Sequence, residues 1–138
     1  MKLIARSIVG LWFLFCGAAL AQTALFSHAN SLSLGTSLVV ETKPQHVLAY
    51  FNCTGVVGGA AGWCIAYNGV AAPNTGSLTG ALVLDACYFD TSGAGCLINY
   101  SPGGIEFSLG ITILVTSASS PFTYTTGTDT AFISANYN

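Results

Sequence analysis

The chain has 138 residues, is 52% hydrophobic but only 6% charged, and carries a formal net charge of −2. That composition is too apolar for a disordered chain, and so few cations cannot neutralise a phosphate backbone, which argues against nucleic acid and anionic membrane surfaces as partners. The length suffices for one domain with a real core but not for two.

The chain opens on Met1-Lys2-Leu3-Ile4-Ala5-Arg6, continues through an apolar run from Ile8 to Leu20, and reaches Ala19-Leu20-Ala21 before Gln22. A positive start, a short apolar stretch and small residues at a cut site predict a cleaved secretory signal over residues 1–21. A membrane anchor is the rival, but thirteen apolar residues fall short of the roughly twenty that a spanning helix needs. Cys16 follows the bulky Phe15, whereas a lipidation site needs a small residue there, so lipidation is not expected.

Removing 21 residues from 138 leaves 117, in which Lys43 is the sole Lys or Arg against five acids, a formal charge of −4. The polar surface must then be built from Ser, Thr, Asn and backbone, a composition common in exported proteins that assemble, stack or stick. No later segment is long and apolar enough to span a bilayer, and no membrane contact is expected once the signal is gone. Residues 22–30, including His28, read as a flexible lead-in, and residues 31–138 as the folded domain.

Within that domain apolar alternation predicts strands and Gly, Pro, Asn or Asp clusters predict their interruptions. Ser31 to Val40 alternates through Leu32, Leu34, Leu38 and Val40, with Gly35 at a bulge or bend. Glu41-Thr42-Lys43-Pro44 breaks the run. His46 to Cys53 places Val47, Ala49, Phe51 and Cys53 on one face, with Leu48 and Tyr50 on the other. Thr54 to Gly62, which holds four glycines, reads as a hairpin loop. Trp63, Ile65 and Tyr67 then face together on the returning strand.

Asn68 to Gly80 is a long connection, and Leu82 to Phe89 is the next strand, with Leu82, Leu84, Ala86 and Tyr88 sharing a side. Asp90 to Gly95 is turn chemistry, followed by a short strand from Cys96 to Tyr100 and a turn at Pro102-Gly103-Gly104. Ile105 to Phe107 is brief. Ile111 to Thr116 is strong, with Ile111, Ile113 and Val115 inward and Thr112 and Thr116 outward. A loop with a short edge strand near Phe122 to Thr125 precedes a last strand from Thr130 to Tyr137.

About eight short strands and no amphipathic helix predict an all-β, antiparallel β-sandwich of the jelly-roll or immunoglobulin-like kind. A small outer-membrane barrel fits less well, because several strands are too short for a bilayer and the terminal Tyr137-Asn138 lacks a final aromatic.

Four cysteines remain after the signal: Cys53, Cys64, Cys87 and Cys96. An even number in an exported chain of this size reads as two disulfides with three connectivities available. Cys53 with Cys64 and Cys87 with Cys96 is favoured, because each pair brackets a short Gly-containing loop that a hairpin would close. A zinc site is disfavoured, since the intervening spacings of ten and eight residues lack close Cys pairs. No metal or cofactor is expected.

Catalysis needs convergent titratable groups, and the mature inventory is Glu41, Lys43, His28, His46, Asp85, Asp90, Glu106 and Asp129. His46 lies near Glu41 in sequence and serines are abundant, yet no G-x-S-x-G elbow supports a hydrolase. Asp90-Thr91-Ser92-Gly93 has the oxygen donors of a calcium loop only at its start, so a turn is the better reading. Asp85 is expected in a solvated position. Asn52-Cys53-Thr54 and Asn99-Tyr100-Ser101 match the glycosylation sequon. Trp63, Tyr67, Tyr100 and Tyr124 are the candidate ligand-binding aromatics, of which alternating strands normally bury about half.

From Val47 onward the order of segments resembles small, uncharacterised β-sandwich proteins encoded among the structural genes of tailed bacteriophages and prophages. The resemblance rests on Ala49-Tyr50-Phe51-Asn52, Gly62-Trp63-Cys64-Ile65-Ala66-Tyr67-Asn68 and Ala71-Ala72-Pro73. It continues through Pro102-Gly103-Gly104-Ile105-Glu106-Phe107, Gly110-Ile111-Thr112-Ile113-Leu114-Val115, Ser119-Ser120-Pro121-Phe122-Thr123 and Ala131-Phe132-Ile133-Ser134-Ala135. It implies a non-enzymatic particle or surface component and supplies no catalytic residues. The signal at residues 1–21 departs from that pattern, because virion proteins assembled in the cytoplasm need no export.

Together these features predict an exported, non-enzymatic structural or binding protein, periplasmic or at the cell surface. Its partner would be protein, through self-association or particle assembly. A secreted carbohydrate-binding module with a glycan partner is the alternative.

Overall fold

Strands form where the alternation is strongest, and the computed structural model describes residues 26–31, 35–56, 58–100, 102–125 and 131–138. The signal at residues 1–21, Leu32, Leu34, Ser101 and Asp129 lie outside the described residues. The described strands, in chain order, are β1 (Ser27–Asn30), β2 (Ser37–Glu41), β3 (His46–Thr54), β4 (Gly62–Asn68), β5 (Gly76–Ser77) and β6 (Val83–Phe89). They continue as β7 (Cys96–Asn99), β8 (Ile105–Phe107), β9 (Ile111–Thr116), β10 (Thr123–Tyr124) and β11 (Phe132–Tyr137). No helix occurs among the described residues.

Two antiparallel sheets share one core, an all-β arrangement consistent with a β-sandwich. The front sheet runs β1-β11-β3, with β7 and β8 lying end to end along the far side of β3. The back sheet runs β2-β9-β4-β6. Rungs change sheet along the chain: β1 front, β2 back, β3 front, β4 and β6 back, β7 with β8 front, β9 back and β11 front. The expected count of about eight thus describes the rungs. The further strands are the break between β7 and β8 and the two-residue pair β5–β10.

Several expectations change in this arrangement. Ser27–Asn30, within the expected flexible lead-in, pairs along β11 from Tyr137 to Ser134. The Thr54–Gly62 stretch is not a hairpin loop, because β3 and β4 belong to different sheets; it is an arch over one end of the sandwich. Asp90–Gly95 is a second such arch. Gly62 begins β4 where the backbone passes close to β9, and a Cβ there would overlap the carbonyl oxygen of Thr116. Pro102-Gly103-Gly104 does not reverse the chain either. The amides of Tyr100 and Gly104 donate to Ala49 and Tyr100 carbonyls at 2.9 Å each, closing a bulged loop after which the rung resumes along β3. Gly104 has φ of 73°, and a Cβ there would collide with Val47.

The main core joins Phe51 and Cys53 of β3, Cys64 and Ala66 of β4, Phe107, Ile111, Ile113 and Val115 to Ile133 and Ala135 of β11. Each large side chain so buried contributes about 1.5–3 kcal/mol relative to exposure. Leu48 is fully buried here too, against the expected face, because the pairing of β3 with β11 steps from Tyr50 to Leu48 and slips one residue. A similar slip between Ala66 and Tyr67 in the β4–β6 pairing sends Leu84 to the main core while Ala86 packs on the other side. Leu84 and Ala86 therefore do not share a face.

β9 is buried on both sides. Its inner residues fill the main core, and Leu114 joins Ile65, Leu78 and Tyr124 in a second cluster beneath the β5–β10 flap. Thr112 and Thr116 point outward from the core as expected, yet both are fully buried. Their hydroxyls are satisfied locally: Thr112 donates to the Gly69 carbonyl at 2.7 Å, and Thr116 accepts from the Ala118 and Thr125 amides at 3.3 Å.

Candidate functional site

The cysteines pair as Cys53–Cys64 and Cys87–Cys96. The favoured pairing is formed, but the reason differs from hairpin closure. Cys53 and Cys96 are cross-strand neighbours in the front sheet, Cys64 and Cys87 in the back sheet, and both disulfides cross the core with Cα separations of 6.0 and 5.8 Å. The sulfurs of Cys64, Cys87 and Cys96 lie within 4.8 Å of one another, and as disulfides they offer no thiolate to a metal. Two disulfides suit an oxidising, extracytoplasmic environment.

Beside this pair of staples, Tyr100 donates its hydroxyl to Asp85 Oδ2 at 3.0 Å, while Asp85 Oδ1 accepts the Ala86 amide at 2.8 Å. Asp85 is therefore half-buried and partnered rather than simply solvated. Burial, then the Asp85 charge and hydrogen bond, push the Tyr100 phenol well above its ordinary range.

Glu41 and Asp90 serve local turns, whereas His46 and His28 reach across to the C-terminal strand. Glu41 accepts the amides of Lys43 at 2.9 Å and Thr42 at 2.8 Å, which, with the charges of His46 and Lys43, hold its carboxyl below the usual range. His46 Nδ1 meets the backbone oxygen of Asn138 at 2.7 Å. Asp90 accepts the hydroxyl and amide of Ser92, which lower its pKa and close the expected turn. His28 meets the side-chain amide of Asn136.

Of the four candidate aromatics, three gather around the second cluster and one does not. Tyr124, supplied by β10 of the flap, is 1% exposed in the second cluster, and Trp63 and Tyr67 pack partly buried against the same cluster. Trp63 also meets Tyr88 edge-on at 5.3 Å between ring centroids. Tyr100 packs on the main core near Phe51, with centroids 6.3 Å apart. These rings fill and border cores rather than form one open platform.

A concave surface lies on the outer face of the front sheet, on residues that the sequence offers only as generic polar surface. Register places His28, Asn136, Tyr50 and Asn99 in one row across four strands. Asn30, Ser134, Asn52 and Leu97 form the next, and Phe132 stands beside Thr54 in a third. Two shallow clefts of about 380 and 400 Å³ occupy this face and meet at Asn52 and Ser134. Asn30, Thr54 and Phe132 flank one; Tyr50, Leu97 and Asn99 flank the other. No Asp, Glu, Lys or Arg lines either cleft. Leu97 is 62% and Phe132 48% exposed, so apolar surface is interleaved with amides and hydroxyls.

The signal that marks this face is the outward half of each alternation. Tyr50, Asn52 and Thr54 of β3, Leu97 and Asn99 of β7, and Phe132, Ser134 and Asn136 of β11 are all uncharged. Both sequon asparagines, Asn52 and Asn99, project here. No family model, curated protein or solved structure matches the chain.

Proposed function

We propose that this is a non-enzymatic exported protein that works by assembly or adhesion, as a component of a phage-like particle or a cell surface, in the periplasm or outside the cell. The observation that carries this reading is the pair of joined clefts on the outer face of the front sheet, lined by amides, hydroxyls and the exposed Leu97 and Phe132 with no Asp, Glu, Lys or Arg, whereas the exposed Glu106 of β8 lies on the same sheet outside both clefts. Such a surface binds by many neutral hydrogen bonds and modest apolar burial rather than by charge.

Two further features support it. The order β1-β11-β3-β7 facing β2-β9-β4-β6, with rungs alternating between sheets, reads as a jelly roll rather than an immunoglobulin-like sandwich, and jelly rolls include viral capsid and lectin domains. Fold alone does not choose a function, so the weight stays on the face. Of the edge strands, β1 and β7 carry no Asp, Glu, Lys or Arg, the side chains that commonly block edge-to-edge pairing, whereas β8, β2 and β6 carry Glu106, Glu41 and Asp85. Glu41 and Asp90 hold backbone amides of their own turns, and His46 and His28 meet Asn138 and Asn136 across the front sheet, contacts that do not gather an acid, an imidazole and a serine at one cleft and so favour a non-catalytic role.

Light scattering of the exported protein, with sedimentation of culture particles and cell envelopes, tests the reading. Multimers or particle-bound protein are expected. A strict monomer that stays free of particles, envelopes and glycans would overturn it.

A further inference from the structure

The geometry points to a binding site for neutral glycan chains on the outer face of the front sheet, centred on Asn52 and Ser134. This deepens the adhesive reading above and rests on it. Three observations select the ligand class.

First, the centre of the face is built from groups that both donate and accept. Asn52 and Ser134 belong to both clefts, so a chain lying over one would pass directly into the other. A side-chain amide has two donors and an acceptor, and a hydroxyl has one donor and two lone pairs, the same mixed pattern that sugar hydroxyls present. Second, apolar faces lie at either end: Phe132 at one cleft and Tyr50 with Leu97 at the other. Rings and aliphatic groups in those places suit the C–H faces of pyranose units while the amides between them take the hydroxyls. Third, charge is missing from the lining, so neither anionic nor cationic polymers gain a counter-ion there. A neutral chain loses nothing by that lack.

The clefts also run across the strands rather than along an edge. Asn30, Ser134, Asn52 and Leu97 are successive cross-strand partners, so the row is fixed by backbone pairing and not by loop conformation. A site on paired strands is pre-ordered, which limits the entropy lost on binding. The aromatic cluster of Trp63 and Tyr67 lies on the back sheet, and that separation provides an internal control.

The test uses the exported protein, isotope-labelled, titrated with cellohexaose, maltohexaose and N-acetylchitohexaose, with a polyuronate and a sulfated glycan as charged comparators. At least one neutral oligomer is expected to shift amides of β3, β7 and β11. Asn52→Ala and Phe132→Ala are each expected to weaken that binding about tenfold, while Trp63→Ala leaves it unchanged. No amide shifts with any neutral oligomer at millimolar concentration, shifts centred on Trp63 and Tyr67, or preference for the charged glycans would overturn the assignment. If the same front-sheet amides instead move on protein dilution alone, the face binds a second copy; the glycan assignment then fails and the adhesive reading stands. If neither glycan nor dilution nor particles move them, both fail.

Discussion

Cys53 and Cys96 stand directly opposite each other in β3 and β7, and neither is bonded to the other. Each reaches across the core instead, Cys53 to Cys64 and Cys96 to Cys87, which are themselves opposite in β4 and β6. The four cysteines occupy the corners of a square closed along the two sides that join the sheets. Each bridge spans an arch, so it holds the sheets together at the end of the sandwich where the chain twice crosses between them.

Non-reducing peptide mapping should therefore recover Cys53 with Cys64 and Cys87 with Cys96. The closed loops are short, with sequence separations of 11 and 9, so removing one bridge as a paired Cys→Ser change should cost about 2–3 kcal/mol in urea unfolding. Recovery of Cys53 with Cys96 would place the bridges within sheets and contradict the square.

Tyr100 and Asp85 add a polar tie between the same two sheets. Because the folded phenol has a raised pKa, the folded state holds its proton where the unfolded chain has lost it. Its contribution is complete below the ordinary tyrosine value of about 10 and is lost progressively as pH climbs beyond that. Tyr100→Phe should reduce stability by about 1 kcal/mol at neutral pH, a modest figure because Asp85 is only half-buried and keeps the Ala86 amide. Unfolding measured on either side of pH 10 should show a smaller alkaline loss in that variant. Parallel curves would mean that the tie is absent in solution.

At Gly62 the close approach is to backbone, which cannot swing aside. Gly62→Ala should destabilise by about 2 kcal/mol through forced displacement of β4 from β9. Thermal unfolding reads this directly, and an unchanged midpoint would show that the arch has room the packing does not reveal.

The rungs were legible wherever alternation was uninterrupted, as in Ile111–Thr116 and Phe132–Tyr137. Sheet membership was not. A glycine-rich stretch such as Thr54–Gly62 suits a hairpin and an arch equally, and only non-local pairing decides between them. Single-residue slips hid the facing of Leu48 and Leu84, since one bulge inverts a strict period-two reading. The candidate rings misled for a related reason. Tyr124 is part of a flap whose strands have only two residues each, too short to show any period, and Trp63 and Tyr67 pack against the cluster that it closes. Tyr50 and Phe132 lie on the face without such a cover, and their asparagine neighbours carry no motif that distinguishes a binding row from ordinary polar surface.

Asn52→Arg places a cation where the two clefts meet while leaving the core side of β3 untouched. Sedimentation of this variant beside the unmodified protein, on particles, envelopes and glycan supports, tests the role of the face most directly. Loss of retention with an unchanged unfolding midpoint is the predicted result. Retention equal to that of the unmodified protein would show that adhesion, if present, uses another surface.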